Sequence, residues 1–138
     1  MNRFVLDASV SLAWFLDYPV PDLAVRVWRG LQKGSRAVVP ALWNLEMANG
    51  LAMAERRGAL TRSYLDHCLR DLDGLAESLD YAGSAISTRQ AFHAASAFRL
   101  TAYDAVYLET ARLEHLSLAT LDRALKSAAA SAGVSLFP

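Results

Sequence analysis

Residues 3–17 read RFVLDASVSLAWFLD, a short apolar run that an aspartate separates from a longer apolar segment. The run before Asp7 predicts a strand, because short apolar runs are typical of buried strands. The segment after it predicts a helix, which stops before Pro19 because the residue preceding a proline avoids the α-helical region. A short apolar strand that leads into a helix is typical of a parallel sheet whose two faces are covered.

The same alternation continues to the end of the chain. Strands are predicted at 3–6, 37–39, 79–81, 116–119 and 134–137, and helices at 9–17, 22–33, 42–57, 61–76, 84–98, 101–114 and 122–132. The fourth helix is predicted to have Thr61 as its N-cap, and the fifth to start from Ser84. The pattern predicts an α/β fold, a three-layer α/β/α sandwich around a central parallel sheet. Because no linker or repeat is visible, residues 1–138 are expected to form one domain.

The composition limits the classes of function that the chain can have. Of its 138 residues 54% are hydrophobic, and 14 basic and 14 acidic side chains give a formal net charge of zero. That balance argues against a protein that coats nucleic acid by charge alone. The single cysteine, Cys68, excludes an internal disulfide and a cysteine-based zinc site, and fits a reducing compartment. Since Asp7 interrupts the apolar N-terminal segment, we expect no signal peptide and no membrane span, and therefore a cytoplasmic protein.

Four acidic residues occupy positions where chemistry is expected in such a sheet. Ligands of parallel sheets bind outside the carboxyl ends of the strands, and Asp7 and Asp122 each follow a predicted strand. Asp104 lies in the first turn of an apolar helix, and Glu46 lies inside another with no lysine or arginine within four positions. If these carboxylates meet, they repel one another and need protons or a cation. Mg²⁺ and Mn²⁺ prefer oxygen ligands, and one or two such ions can support phosphodiester hydrolysis.

Each aspartate also has a purely structural interpretation. Asp7 and Asp122 stand where helix N-caps are common, and Thr101-x-x-Asp104 resembles a capping box with aspartate in place of glutamate. One class of enzyme is excluded by the same residues. Phosphatases of the haloacid dehalogenase type need Asp-x-Asp after their first strand, and here Ser9 takes the place of the second aspartate.

Four blocks of the sequence resemble the motifs of the PIN-domain ribonucleases, and most closely those of the VapC toxins of bacterial toxin–antitoxin pairs. The blocks are VLDASVSLAWFL at 5–16, VVPALWNLEMANGLAMAERRG at 38–58, LTAYDAVYLETA at 100–111 and LATLDRALKSAAASAGV at 118–134. They occur in order and span nearly the whole chain. The resemblance implies a central parallel sheet surrounded by helices and an endoribonuclease that depends on Mg²⁺ or Mn²⁺.

The resemblance also implies roles for individual residues. In the matching motifs, the four acidic residues of the family correspond to Asp7, Glu46, Asp104 and Asp122. Its accessory hydroxyl residues correspond to Ser9 and Thr120. Asp7 and Asp104 are expected to be the principal metal ligands. Glu46 and Asp122 would bind the metal ion directly or through water, or would complete a second metal site. Glu46 or the metal would activate the attacking water. Arg123 is either a contact for the RNA backbone, whose affinity falls with salt, or a surface residue.

The resemblance extends to partners. Members of the family are usually homodimers, and a cognate VapB-like antitoxin neutralises them by placing its C-terminal segment in a groove near the acidic site. We therefore expect the chain to be the RNA-cleaving toxin of such a pair.

Two other functions are compatible with the sequence. One is a non-catalytic, partner-binding PIN-like module, in which the acids are caps. Its apolar groove would be lined by Trp14, Phe15, Trp28 and Leu31, unless these residues only pack the core. The other is a metal-dependent DNA nuclease that uses the same site. The target of an RNA-cleaving enzyme depends on surface shape and loops, which the sequence does not reveal.

Overall fold

Four short strands form a single parallel sheet in the computed structural model, which describes residues 2–83 and 85–138. From one edge to the other the order is β3, β2, β1 and β4, and every neighbouring pair is parallel. The bounds are Arg3–Leu6 for β1, Arg36–Val39 for β2, Leu79–Tyr81 for β3 and Ser117–Ala119 for β4. The parallel sheet predicted from the sequence is therefore confirmed.

Helices cover both faces of this sheet. Consecutive residues of a strand point to opposite faces, and every residue of β1 from Phe4 to Leu6 is buried, which confirms the layered α/β arrangement. In the described residues there are seven α-helices, and none is long and apolar enough to cross a membrane. Their bounds are Ala8–Leu16 for α1, Asp22–Gln32 for α2, Leu42–Arg56 for α3, Arg62–Gly74 for α4, Thr88–Phe98 for α5, Ala102–Glu114 for α6 and Arg123–Ala132 for α7.

Local signals account for most of the helix ends. Thr61 is the N-cap of α4, as predicted, because its hydroxyl accepts a hydrogen bond from the backbone N–H of Tyr64 (3.1 Å). α7 ends where Gly133 adopts a φ of 74°, a left-handed conformation that glycine adopts without strain. α4 ends two residues earlier than predicted, at Gly74, and a short 3₁₀-helix, Ala76–Ser78, leads into β3.

The helix predicted at 84–98 begins later than expected. Its proposed first residue, Ser84, lies outside the described residues, and α5 begins at Thr88. The hydroxyl of Ser87 accepts from the backbone N–H of Gln90 (3.1 Å), whose side chain accepts from the backbone N–H of Ser87 (2.9 Å). This Ser-x-x-Gln capping box sets the start of the helix.

The closing strand predicted at 134–137 is wrong. Only one isolated parallel bridge forms there, between Leu136 and Leu118 of β4. The bridge consists of two hydrogen bonds, from the backbone N–H of Leu118 to the carbonyl of Ser135 and from the backbone N–H of Phe137 to the carbonyl of Leu118, both at 2.9 Å. The pairing does not extend towards Val134, because the backbone N–H of Leu116 donates to the carbonyl of Ala111 (3.0 Å) at the end of α6.

Close packing between α1 and α3 sets the distance between the two helices that border the carboxyl edge of the sheet. Ser11 on α1 is fully buried, accepts from the indole N–H of Trp43 on α3 (3.0 Å) and donates to the sulfur of Met47 (3.1 Å). A Cβ atom at Gly50 on α3 would lie 2.6 Å from Cδ2 of Leu12 on α1. The two helices can approach this closely because that position has no side chain.

Replacing Ser11 by alanine should destabilise the protein. Ser11→Ala leaves the buried indole N–H of Trp43 without its acceptor, which should lower the free energy of unfolding by about 1–3 kcal/mol. Urea denaturation followed by circular dichroism measures this change. Ser96→Ala, on the exposed side of α5, is the control and should stay within about 0.5 kcal/mol of the wild type. Equal losses in the two variants would contradict a stabilising role for the buried hydrogen bond.

Candidate active site

A cavity of about 300 Å³ lies at the carboxyl edge of the sheet. Asp7 follows β1 directly, and its backbone N–H donates to the carbonyl of Ala119 at the end of β4 (3.0 Å). The cavity is lined by the four acidic residues Asp7, Glu46, Asp104 and Asp122, together with Ala8, Ser9, Leu12, Asn49 and Gly50. Acidic residues from four separate segments of the chain thus meet in one place.

Asp7 is buried and held by hydroxyl groups. Its side chain is 4% exposed and makes no cap bond to α1, so the interpretation of Asp7 as a simple N-cap is wrong. Its Oδ2 accepts hydrogen bonds from Ser9 Oγ (2.6 Å) and Thr120 Oγ1 (2.7 Å). These hydroxyls in turn accept from the backbone N–H groups of Leu121 and Asp122, both at 3.0 Å. Ser9 and Thr120 therefore connect Asp7 to the backbone that follows β4.

Asp122 and Asp104 combine helix starts with positions at the cavity. Asp122 is the N-cap of α7, since its Oδ1 accepts from the backbone N–H of Leu125 (2.8 Å). Thr101 is the N-cap of α6, and its hydroxyl accepts from the backbone N–H of Asp104 (3.1 Å). Both aspartates also line the cavity. A capping position and a place in the acidic cluster are thus compatible.

Glu46 projects from α3 and is half-buried. Its Oε1 accepts a hydrogen bond from the hydroxyl of Tyr107 on α6 (2.7 Å). Tyr107 and Gly50 are among the residues of this region that were not predicted from the sequence. Helical spacing could have identified both, because Tyr107 lies three residues after Asp104 and Gly50 lies four residues after Glu46, each on a shared face.

Burial and mutual repulsion raise the pKa values of Asp7, Glu46 and Asp104. The pKa of Asp7 is raised by burial and by the charge of Asp122, although its two hydroxyl partners act against this. The pKa of Glu46 is raised by burial and by the charges of Asp7 and Asp104. Burial, with the charges of Asp7 and Asp122, raises the pKa of Asp104 to about 6. In the described part of the chain, no lysine or arginine lines the cavity to offset this charge.

The donor set suits a hard divalent cation. Carboxylate and hydroxyl oxygens are the ligands that Mg²⁺ and Mn²⁺ prefer, and the excess of negative charge favours a cation over further protons. No group of three or more His, Cys, Asp or Glu side chains in the described residues is arranged to enclose an ion. Mg²⁺ is usually held by only one or two carboxylates and keeps several waters, so these residues fit such an ion. Which acids bind it directly stays a prediction.

Arg123 is placed beside the acidic cluster and not inside it. It is the first residue of α7, directly after Asp122, and its side chain is exposed. It does not line the cavity. A contact between Arg123 and a nucleic-acid backbone therefore stays a prediction.

A second cavity of about 300 Å³ forms an apolar groove between α1, α2 and α4. The indoles of Trp14 and Trp28 meet edge to face within it, with ring centroids 4.9 Å apart. The groove is lined by Trp14, Phe15, Val20, Val25, Trp28, Tyr64, His67 and Asp71. Leu31, which was expected to line this groove, is instead buried in the core, because its side of α2 faces the sheet.

Fold and site together place the chain among the α/β proteins that carry a carboxylate cluster at the carboxyl edge of a parallel sheet. The family model described as "PIN domain" matches residues 4–131, so the chain belongs to the PIN domain family. PIN domains are generally nucleases, which are hydrolases, and they typically use divalent metal ions.

Solved structures similar to this chain include the following two. One is the crystal structure of PAE2754 from Pyrobaculum aerophilum, with a TM-score of 0.71 and 23% identity over 92% of this chain and 79% of that one. The other is the crystal structure of FitAcB from Neisseria gonorrhoeae, with a TM-score of 0.66 and 19% identity over 98% of this chain and 96% of that one. At these identities the likeness shows a shared fold. No curated protein matches the chain.

Repulsion in the cavity should make the cation-free protein less stable as pH rises. The folded-state pKa of Asp104 is about 6, against an ordinary value of 3.8, so the folded protein binds this proton more tightly than the unfolded chain does. The resulting stabilisation is present at low pH and is lost as pH rises through about 6. Thermal unfolding between about pH 5 and 7.5, in the presence of a chelator, measures the loss.

Asp104→Asn tests the cause of this pH dependence. The variant keeps the shape of the side chain but has no charge to lose, so its unfolding midpoint should fall less with pH and exceed the wild-type value at about pH 7.5. Asp66→Asn, on the exposed side of α4, should retain the wild-type profile. If the Asp104 and Asp66 variants gave identical profiles of unfolding midpoint against pH, the charge of Asp104 would not be the cause of the pH dependence.

Proposed function

We propose that this chain is a metal-dependent endoribonuclease that acts as the toxin of a toxin–antitoxin pair. The observation that carries the proposal is the cavity in which four carboxylates meet with no basic residue among the described lining residues. Membership of the PIN domain family supports nuclease activity. The choice of RNA over DNA and the role as a toxin rest on the likeness of the sequence blocks to VapC toxins.

The roles proposed for the acids come from the family resemblance, and the positions of these residues are compatible with them. Asp7 and Asp104 would hold the cation, Asp7 being fixed by its two hydroxyl partners and Asp104 by the first turn of α6. A bound Mg²⁺ or Mn²⁺ ion would supply Lewis acidity and neutralise charge on the scissile phosphate. Glu46 would accept a proton from the attacking water, a role favoured by its raised pKa. Asp122 would complete the ligand set, directly or through water.

RNA would need basic side chains near the cavity to hold its phosphate groups. Arg123 at the start of α7 is the side chain that we propose as a contact for the phosphate backbone. Because each such contact releases counterions from the RNA, the affinity for RNA should fall as the salt concentration rises.

Asp7→Asn should abolish metal-dependent RNA cleavage and leave the fold intact. The amide keeps the shape of the carboxylate but removes the most buried charge of the cluster. Cleavage of an RNA oligonucleotide in Mn²⁺ measures activity, and Asp17→Asn, at the exposed end of α1, should cleave like the wild type. Full cleavage by a clean preparation of the Asp7 variant would disprove the assignment.

The same two variants distinguish an enzyme from a non-catalytic binding module. If the acids form a cation site, Mn²⁺ should stabilise the wild type and the Asp17 variant, by about 2.7 kcal/mol at a hundredfold excess over the dissociation constant. The Asp7 variant should lose most of this gain. A wild type without saturable stabilisation would favour the binding module. Preferential cleavage of a DNA oligonucleotide of matched sequence would favour the DNA nuclease.

We further propose that the apolar groove between α1, α2 and α4 receives an apolar helix of a VapB-like antitoxin, whose C-terminal segment would lie near the acidic cavity, as the family resemblance implies. The groove exposes aromatic side chains, and His67 and Asp71 at its edge offer polar contacts. Such a surface suits the apolar face of an amphipathic helix. A homodimer is also proposed, on the family resemblance alone.

Val25→Glu should weaken the antitoxin complex without affecting the nuclease. Val25 lines the groove, so a glutamate there would place a charge against the apolar segment of the partner. The measurement is co-purification with the product of a small reading frame next to the gene, together with RNA cleavage. Gln32→Glu adds the same charge on an exposed position of α2 and should retain the partner. Loss of the partner in both variants, or in neither, would argue against this groove.

A further inference from the structure

The buried phenol of Tyr107 connects the two helices that carry Glu46 and Asp104. Tyr107 lies three residues after Asp104 on α6, so the two side chains share a face of that helix. The Tyr107 side chain has 0% exposure, and its hydroxyl donates to Oε1 of Glu46 on α3 at 2.7 Å. Through this bond α6 supports a carboxylate on another helix in addition to its own.

Glu46 needs such support more than the aspartates do. Asp7 is held by two hydroxyls and Asp122 by a backbone N–H, and both have short side chains. The longer side chain of Glu46 has more rotamers to lose. In the middle of α3 the backbone N–H groups are taken by the helix, and among the described residues the phenol of Tyr107 is the one hydrogen-bond donor to the Glu46 carboxylate.

The hydrogen bond also distinguishes the two oxygens of Glu46. Oε1 accepts from the phenol, whereas Oε2 has no hydrogen-bond partner among the described residues and is therefore the oxygen more available to act in the cavity. Burial, followed by the hydrogen bond to Glu46, raises the pKa of Tyr107, and the phenol therefore stays a donor. The Tyr107 ring is enclosed by the core and cannot turn away without breaking its packing.

We propose that Tyr107 is a positioning residue, which holds the Glu46 carboxylate in one orientation so that Oε2 is presented to the ligands of the cavity. This inference rests on the proposed nuclease function, because Glu46 acts on a cation or water only in that case. Without the hydroxyl, the ring still fills its place in the core, but the Glu46 side chain becomes free to turn towards solvent.

Tyr107→Phe removes the hydroxyl alone. The concentration of Mn²⁺ that gives half of the maximal thermal stabilisation should rise about 10–100-fold, as is usual when a hydrogen-bond partner of a metal ligand is lost. The kcat for RNA cleavage should fall by a similar factor, with KM for RNA little changed, since RNA contacts outside the cavity are intact. Tyr103→Phe is the matched control, because Tyr103 is on the same helix and 67% exposed. It should change none of these quantities.

A direct measurement separates the failure of this inference from the failure of the proposed function. In cation-free protein, the NMR signal of the Glu46 carboxyl carbon should move in the Tyr107 variant and stay in place in the Tyr103 variant. An unchanged Glu46 signal in Tyr107→Phe overturns the positioning role, whatever the activity. A wild type that neither binds Mn²⁺ nor cleaves RNA overturns the proposed function, and the Glu46 signal alone then decides whether Tyr107 positions this carboxylate.

A measurement on the wild type covers the case in which Tyr107→Phe does not fold. The hydroxyl proton of Tyr107 should exchange slowly with water and show a nuclear Overhauser effect to the side-chain protons of Glu46. Slow exchange with this contact supports the positioning role. Fast exchange, or the absence of the contact, overturns it.

Discussion

Repulsion among four carboxylates in one partly buried cavity is the constraint on which the rest of this structure depends. Burial and mutual charge raise the pKa values of Asp7, Glu46 and Asp104, and no basic residue among the described residues lines the cavity to relieve them. Charges of one sign stay together only where other interactions hold them in place. Here the supports differ among three of the acids: two hydroxyls for Asp7, the N-terminus of α7 for Asp122 and a buried phenol for Glu46.

The supports of the cluster depend in turn on packing outside it. The parallel sheet brings the ends of β1 and β4 together, so that Asp7 reaches the hydroxyl of Thr120. The buried hydrogen bond from Trp43 to Ser11 and the missing side chain at Gly50 bring α3 close to α1. Because the core of this sheet is almost entirely apolar, it supplies the stability against which the repulsion in the cavity acts. A nuclease of this kind therefore keeps its charge cluster at one edge of an otherwise apolar core.

Local signals predicted most of the secondary structure, and the errors have identifiable causes. Capping and helix-ending residues such as Thr61 and Gly133 interact with backbone groups only a few residues away, so they can be recognised in the sequence. The closing strand at 134–137 was wrong, because the end of α6 takes the backbone N–H of Leu116 that a longer pairing with β4 would need, and an apolar pattern does not reveal this. Asp7 and Asp122 each lie between a strand and a helix, yet only the side chain of Asp122 makes a capping hydrogen bond. The carboxylate of Asp7 is instead bound by the hydroxyl of Ser9, a neighbour in the chain, and by that of Thr120, which is distant in sequence.

Periodicity and the order of apolar segments were sufficient to establish a parallel α/β sheet and to place Asp7 and Asp122 at its carboxyl edge, since both depend on short-range chemistry. Asp104 and Glu46 were recognisable as acids in apolar helices, and the motif blocks grouped all four. Tertiary structure alone decided that all four acids share one cavity, that Tyr107 contacts Glu46 and that Leu31 belongs to the core. These outcomes depend on how helices distant in sequence pack against one another. Such packing is set by the volumes and contacts of many side chains together, which no local pattern encodes.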